Sequence, residues 1–288
     1  MNLVIGTANF GNNYGLTSGI IDSENAQNII NFAEQNHVHT IDTAYLYPNS
    51  YETLLNIDLK NFKITTKTPK FSHCKSKNNI LDLFRDFFKK TNLTFKLGSI
   101  RAILFHDASD LLSEYGDIIY RELRKVTDLH NIKIGISIYD VDELLILDRY
   151  DLDIVQAPVN IFDQRFISGD VVGLFQKKNI ELHVRSIFLQ GLLLMDLEKI
   201  KNSRPEAVKY VKKLDTYCLN NNISRLEICL LFIKKIQSIS SCLVGVNGLN
   251  ELQEIIKCWN KHNLYNINFN NLGVNDDTVR DPRKWENK

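Results

Sequence analysis

The chain has almost no excess of charge of either sign: 35 Lys+Arg against 34 Asp+Glu leave a net charge of +1 over 288 residues. That balance argues against a nucleic-acid partner, which selects a basic face. Long hydrophobic runs are absent too. The longest, such as Gly191 to Met195, fall far short of the ~20 residues needed to cross a bilayer, so no membrane partner is expected. The opening MNLVIGTANFG has neither a basic n-region nor an apolar stretch ending in a small-residue cleavage site. The expectation is therefore no secretion signal and a cytoplasmic location. Cysteines are few and odd in number (Cys74, Cys218, Cys229, Cys242, Cys258), with no CxxC. Free thiols in a reducing compartment are the simplest reading. His73 and Cys74 are adjacent but lack further ligands at metal spacing, so no metal site is expected. No domain linker or low-complexity tract interrupts the chain.

What is present is 44% hydrophobic and 24% charged residues, enough apolar content for a packed core and against a disordered chain. Short β-like runs alternate with amphipathic stretches throughout. Strands are expected at Leu3 to Thr7, His39 to Thr43, Phe62 to Lys67, Ile100 to His106, Lys133 to Ser137, Ile154 to Pro158, Glu181 to Ser186 and Cys242 to Val246. Between them, apolar stripes at helical spacing mark helices. One carries Ala26, Ile29, Ile30 and Ala33 behind an Asp22 or Ser23 cap; another carries Ile80, Leu83, Phe84, Phe87 and Phe88. A fifth helix is expected around Val141, Leu144 and Leu145. A longer insertion after the seventh strand leads to Pro205, a first-turn proline.

Eight strand-then-helix units imply parallel strands with crossover helices, and an eightfold repeat closes into a (β/α)₈ TIM barrel. The expectation is one domain over residues 1–288, with a tail from about 264 packing Trp285 back onto the body. An open doubly wound sheet is the competing architecture. It usually brings a GxGxxG turn after the first strand, whereas this turn reads GTANFGNNYG.

In such a barrel, chemistry sits at the C-terminal ends of the strands. Asp42 ends the second strand, in IDTAYLYPNSYE, and Tyr47 follows five residues later. Lys67 ends the third strand and His106 the fourth, in RAILFHDAS. Each has a bland reading as well. An Asp–Lys pair is as often structural, Tyr45 rivals Tyr47, and His106 alone reads as a core histidine. His37, His39, His73, His130, His183 and His262 get the same reading as core histidines.

The DTAxxY segment, the strand-ending lysine and LFHD together resemble the aldo-keto reductase superfamily. KIGIS (Lys133 to Ser137), DIVQAPVNIFDQR (Asp153 to Arg165) and RSIFLQGLL (Arg185 to Leu193) follow in order. The resemblance implies a barrel that binds a nicotinamide cofactor, NADP(H) or NAD(H), and reduces a small-molecule aldehyde or ketone. Its spacing selects Tyr47 over Tyr45 and gives a catalytic set of Asp42, Tyr47, Lys67 and His106. An alkoxide left by hydride addition needs a proton, and tyrosine is the general acid. An ammonium beside a phenol favours phenolate, so the expectation is that Lys67 lowers the Tyr47 pKa from about 10. Asp42 would keep Lys67 charged, and His106 would polarise the carbonyl oxygen.

By the same resemblance, Gly6 and Thr7 would border the cofactor, and Ser137 and Gln156 would hold the nicotinamide carboxamide. Ile138 stands where relatives often carry an asparagine, with Asn160 a candidate substitute. Arg185 stands where many carry a stacking aromatic; the competing reading is an ion pair with a strand-end carboxylate. Backbone amides near Ser186, Leu189 and Gly191 would meet the pyrophosphate. Gly245 and Asn247 border the adenosine end, where the turn LVGVNGLNELQE has no Lys or Arg for a 2′-phosphate. Family frequency keeps NADP first and NADH close behind, with Glu251 and Glu254 able to receive a ribose hydroxyl. The opening GTANFGNNYGL and closing DPRKW resemble a subgroup found among bacterial surface-polysaccharide genes, which implies a sugar-derived carbonyl. Asn12, Asn13, Tyr14 and Asn49 suit a hydroxylated ligand or plain turns. Two other functions compete: a Schiff-base lyase using Lys67, and a non-catalytic regulatory barrel that binds the cofactor. A monomer or weak homo-oligomer is expected.

Overall fold

The computed structural model describes residues 1–16, 19–47, 49–261, 268–269 and 271–285. His262 and three positions of the Asn-rich stretch (266, 267 and 270) lie outside the described residues. Eight strands form one closed barrel: β1 (Asn2–Gly6), β2 (Thr40–Asp42), β3 (Lys63–Lys67), β4 (Ile100–Phe105), β5 (Lys133–Ser137), β6 (Ile154–Pro158), β7 (Glu181–Arg185) and β8 (Ile239–Gly245). All neighbours are parallel, and β8 closes on β1. This is the (β/α)₈ barrel that the eightfold alternation implies.

The helices follow their strands. After β1 comes α1 (Ser23–Gln35), after β2 α2 (Ser50–Leu55), and after β3 α3 (Lys77–Phe95). β4 leads to α4 (Ala108–Leu112) and α5 (Gly116–His130), and β6 to α6 (Gly169–Lys178). The insertion after β7 supplies α7 (Leu197–Ser203), α8 (Val208–Asn220) and α9 (Arg225–Lys235). β8 leads to α10 (Leu249–Trp259), and α11 (Asp277–Arg280) lies in the tail. Asp22 caps α1 by accepting from the Asn25 amide at 2.9 Å, and Ala26, Ile29, Ile30 and Ala33 are its buried stripe.

Strand alternation sorts the side chains. On β4, Ile103 and Phe105 face the helices, while Ala102 and Leu104 join Ile154 in a separate small cluster inside the barrel. Gly135 on β5 leaves room for that cluster: a Cβ there would meet the Ile154 carbonyl oxygen at 2.5 Å and Leu104 Cδ2 at 2.6 Å. Above this apolar plug the inward positions become polar: Asp42, Lys67 and Gln156.

The expected fifth helix is instead a 3₁₀ segment, Val141–Asp148. Its period of three puts Val141, Leu144 and Leu147 on one side and leaves Leu145 70% exposed. The tail packs as Val274 donates to the Phe162 carbonyl at 2.8 Å and Trp285 Nε1 to the Val279 carbonyl at 3.3 Å. All five cysteines are free thiols. No described helix is long and apolar enough to cross a membrane, and no cluster of three metal-ligating side chains occurs among the described residues.

Candidate active site

Asp42 and Lys67 end adjacent strands and meet at 2.5 Å, with 4% and 2% of their surfaces exposed. Lys67 Nζ also donates to the Thr43 carbonyl at 3.0 Å. From the far wall, Gln156 Nε2 donates to the second Asp42 oxygen at 2.8 Å. Both carboxylate oxygens are thus hydrogen-bonded, the condition under which a buried ion pair offsets its desolvation.

Tyr47 sits in the tight connection between β2 and α2. Its amide donates to the Ala44 carbonyl at 3.0 Å, and Ser50 N donates back to the Tyr47 carbonyl at 3.2 Å. The Ser50 hydroxyl anchors this turn, 2.9 Å from the Thr7 hydroxyl and 3.0 Å from that of Thr43. The Tyr45 ring turns away to pack edge-on against Tyr51 and Phe87, leaving Tyr47 to line the cleft. Lys67 Nζ lies 5.7 Å from the Tyr47 ring centroid, and the His106 ring meets Tyr47 edge-on at 6.0 Å.

The electrostatics correct the expected direction at Tyr47. Its pKa is raised, chiefly by burial and then by the Asp42 carboxylate, with Arg185 opposing. Burial and Asp42 outweigh the opposing guanidinium, so the phenol keeps its proton. His106 moves the other way, down to about 3, because burial and the cations Lys67, Arg185 and Lys70 disfavour imidazolium. It is a neutral ring that can donate one hydrogen bond. Its Nδ1 is buried without a partner among the described residues.

A cleft of about 390 Å³, within the range of small-ligand sites, opens over Asp42 and Tyr47, while Lys67 and His106 are not among its lining residues. Asp42, Tyr47 and Gln156 line one end, and Gly245, Asn247, Glu251 and Glu254 the other. Gly6, Thr7, Arg185, Ser186 and Gly191 also border it. Ser137 does not; it is buried in register with Gln156. Leu189 is fully buried, and its amide donates to the Ser186 carbonyl, while the Gly191 amide donates to that of Phe188. Those two amides shape the loop rather than point at a ligand. Left-handed backbone at Ser186, Leu189, Gln190 and Gly191 makes that shape, and φ of 94° at Gly191 is glycine's region. Leu16 donates to the Gln190 carbonyl at 3.2 Å, so the first loop touches the seventh beside the cleft.

Several side chains have roles that the sequence did not reveal. Asn160 does not replace the missing asparagine: its Nδ2 donates to the Ser186 carbonyl, and its Oδ1 accepts from Phe162 N and Asp163 N. Asn12 Nδ2 donates to the Phe10 carbonyl of its own loop, its Oδ1 accepts from Asn49 N, and Asn49 Nδ2 donates to the Gly11 carbonyl, the plain-turn reading. Arg185 forms no ion pair among the described residues. It donates to the Ile138 carbonyl at 2.9 Å and lies 3.9 Å over the Tyr139 ring. Arg283 of the tail shares that ring at 4.3 Å while binding Asp140 and Asp281. DPRKW was noticeable as a motif, but nothing in sequence spacing pairs it with Tyr139.

A nicotinamide fits this end of the cleft on one observation. Gln156 Oε1 is buried without a partner among the described residues, while its amide nitrogen is committed to Asp42. An amide N–H arriving from the cleft would satisfy that acceptor.

The aldo/keto reductase family model matches residues 2–272. No curated protein matches the chain. The chain is similar to many solved structures, among them two at 17% identity. The aldo-keto reductase AKR11C1 from Bacillus halodurans, in its holo form, has a TM-score of 0.68, covering 92% of this chain and 88% of its own. The glycerol dehydrogenase AKR11B4 from Gluconobacter oxydans has a TM-score of 0.67, covering 91% and 87%. At that identity the two structures speak for the fold, and the family model for the kinship: the chain belongs to the aldo/keto reductase family and is an NAD(P)H-dependent oxidoreductase.

Proposed function

We propose that this protein reduces a small polar carbonyl compound, of the sugar-derived class, with Tyr47 as the proton donor. The observation that carries the reading is a phenol held protonated at the cleft wall beside the buried Asp42–Lys67 pair and a neutral His106. When bound, the reduced nicotinamide supplies the hydride to the carbonyl carbon. Gln156 and its unpartnered oxygen orient the carboxamide. The neutral His106 ring donates a hydrogen bond to the carbonyl oxygen, where negative charge develops. Tyr47 then gives its proton to that oxygen, and Lys67 stabilises the phenolate left behind.

Tyr14 shares the cleft with Tyr47, and Tyr139 stands beside Arg185, a setting of rings and polar tips that suits a hydroxylated substrate. The resemblance carried by GTANFGNNYGL and DPRKW supports the same class. A Schiff base at Lys67 needs a free, accessible amine, whereas Lys67 is buried and paired with Asp42.

Purified protein is expected to oxidise reduced dinucleotide saturably with at least one member of a panel of aldoses, keto-sugars and simple aldehydes. Borohydride trapping with the same panel is expected to leave Lys67 unmodified. Absence of turnover across the panel, or an adduct on Lys67, would overturn the proposal.

A further inference from the structure

The far end of the cleft is built differently from the catalytic end. Once a nicotinamide is placed against Gln156 and Tyr47, the cleft leads the adenosine half past the loop after β7 toward the end of β8 and the start of α10. The lining there comes from Gly245, Asn247, Glu251, Glu254 and the apolar Ile255 and Leu226. Arg185 is the only Lys or Arg among the described lining residues, and it belongs to the catalytic end.

Two features make the far end hostile to a further phosphate. The start of a helix usually attracts anions. Here Glu251 already fills that role: its carboxylate accepts from Asn247 N at 2.8 Å and from Asn247 Nδ2 at 3.2 Å. Asn247 is itself held by Asn9, whose Nδ2 donates to Asn247 Oδ1 at 2.7 Å, so the carboxylate is fixed from β1 outward. Glu254 follows three residues later, on the same helix face, and forms no ion pair among the described residues. Arg225, next in the chain to the lining residue Leu226, is spent on Asp215 (2.5 and 2.6 Å) and the Met195 carbonyl (2.6 Å).

From this arrangement we infer that the enzyme selects NADH over NADPH, with Glu251 and Glu254 as the discriminating residues. The inference rests on the reading of the cleft as a nicotinamide dinucleotide site. Glu254 accepts a hydrogen bond from a ribose hydroxyl, and the same two carboxylates repel a 2′-phosphate dianion that finds no cation to pair with. This reverses the order of preference that the family resemblance implies.

The test is equilibrium binding, followed by protein fluorescence or calorimetry, with NADH and NADPH on the wild-type chain and on Glu254→Lys. NADH is expected to bind at least about tenfold tighter than NADPH, the weight of one to two uncompensated charge contacts near a surface. In Glu254→Lys, an exposed position on a helix, NADPH affinity is expected to rise and the ratio to fall toward one. NADPH binding as tightly as NADH, or a ratio unmoved by Glu254→Lys, would overturn the selectivity while leaving the dinucleotide site intact. Failure of both dinucleotides to bind would overturn the site itself and the selectivity with it.

Discussion

Asp42 and Lys67 sit paired out of water with one further partner each: Gln156 donates to the second carboxylate oxygen, and the Thr43 carbonyl takes a second ammonium proton. Such a pair is expensive to break from one side. Lys67→Met strands Asp42 and is expected to cost about 3–5 kcal/mol in denaturant unfolding. The double variant Asp42→Asn/Lys67→Met removes both charges and is expected to recover most of that stability. Turnover is expected to stay at least ~10²-fold down in both variants, because the phenolate formed at Tyr47 then lacks its counter-charge. Recovery of turnover together with stability in the double variant would assign the pair a purely structural role. At this scale the direction of the Tyr47 shift was illegible in the sequence. The lysine could be read from spacing, but the burial that dominates the shift and the Asp42 carboxylate that adds to it act only in the folded mouth.

The loops after β5 and β7 and the C-terminal tail work as one element. Arg185 ends β7, turns its guanidinium onto Tyr139 and is fixed by the Ile138 carbonyl. Arg283 reaches the same ring from the tail, anchored by Asp281, which is 2% exposed, and by Asp140. Asp140 also receives Arg165, so the tail and the loop after β6 share one carboxylate. Arg283→Ala therefore removes a stacking partner from Tyr139 and leaves Asp281 buried without its cation. Unfolding free energy is expected to fall by about 3 kcal/mol. Because Arg283 acts through Tyr139 and Arg185 rather than on the reacting atoms, KM for the carbonyl is expected to rise with little change in kcat. An unchanged KM alongside the stability loss would reduce the stack to a fastening of the tail. The 3₁₀ segment after β5 belongs to this scale as well: its apolar residues satisfy a period of three as readily as one of 3.6, so spacing alone does not decide between them.

Across the whole molecule, the barrel was the most legible feature. Eight alternations of β-like and amphipathic segments, without a Gly-rich turn or a linker, leave few other closed arrangements, and the parallel order β1 to β8 follows. The meeting of Asp42, Tyr47, Lys67 and His106, the proposed catalytic set, was legible for the same reason, since strand ends converge at one mouth once the barrel closes. The supporting residues were not. Asn160 reads as a ligand group in sequence, yet it shapes the backbone around Ser186. Gln156 reads as a cofactor contact, yet half of it is committed to Asp42. Both outcomes depend on cross-barrel distances that spacing along the chain does not encode.

The phenol of Tyr47 is the one group whose loss should stop the chemistry while sparing the rest of the molecule. Its side chain lines the cleft and its hydroxyl supports no described element. Measured on Tyr47→Phe at saturating dinucleotide and carbonyl, kcat is expected to fall by at least ~10²-fold, with the dinucleotide dissociation constant on the same protein within about twofold of wild type. A variant that turns over at the wild-type rate would contradict the account.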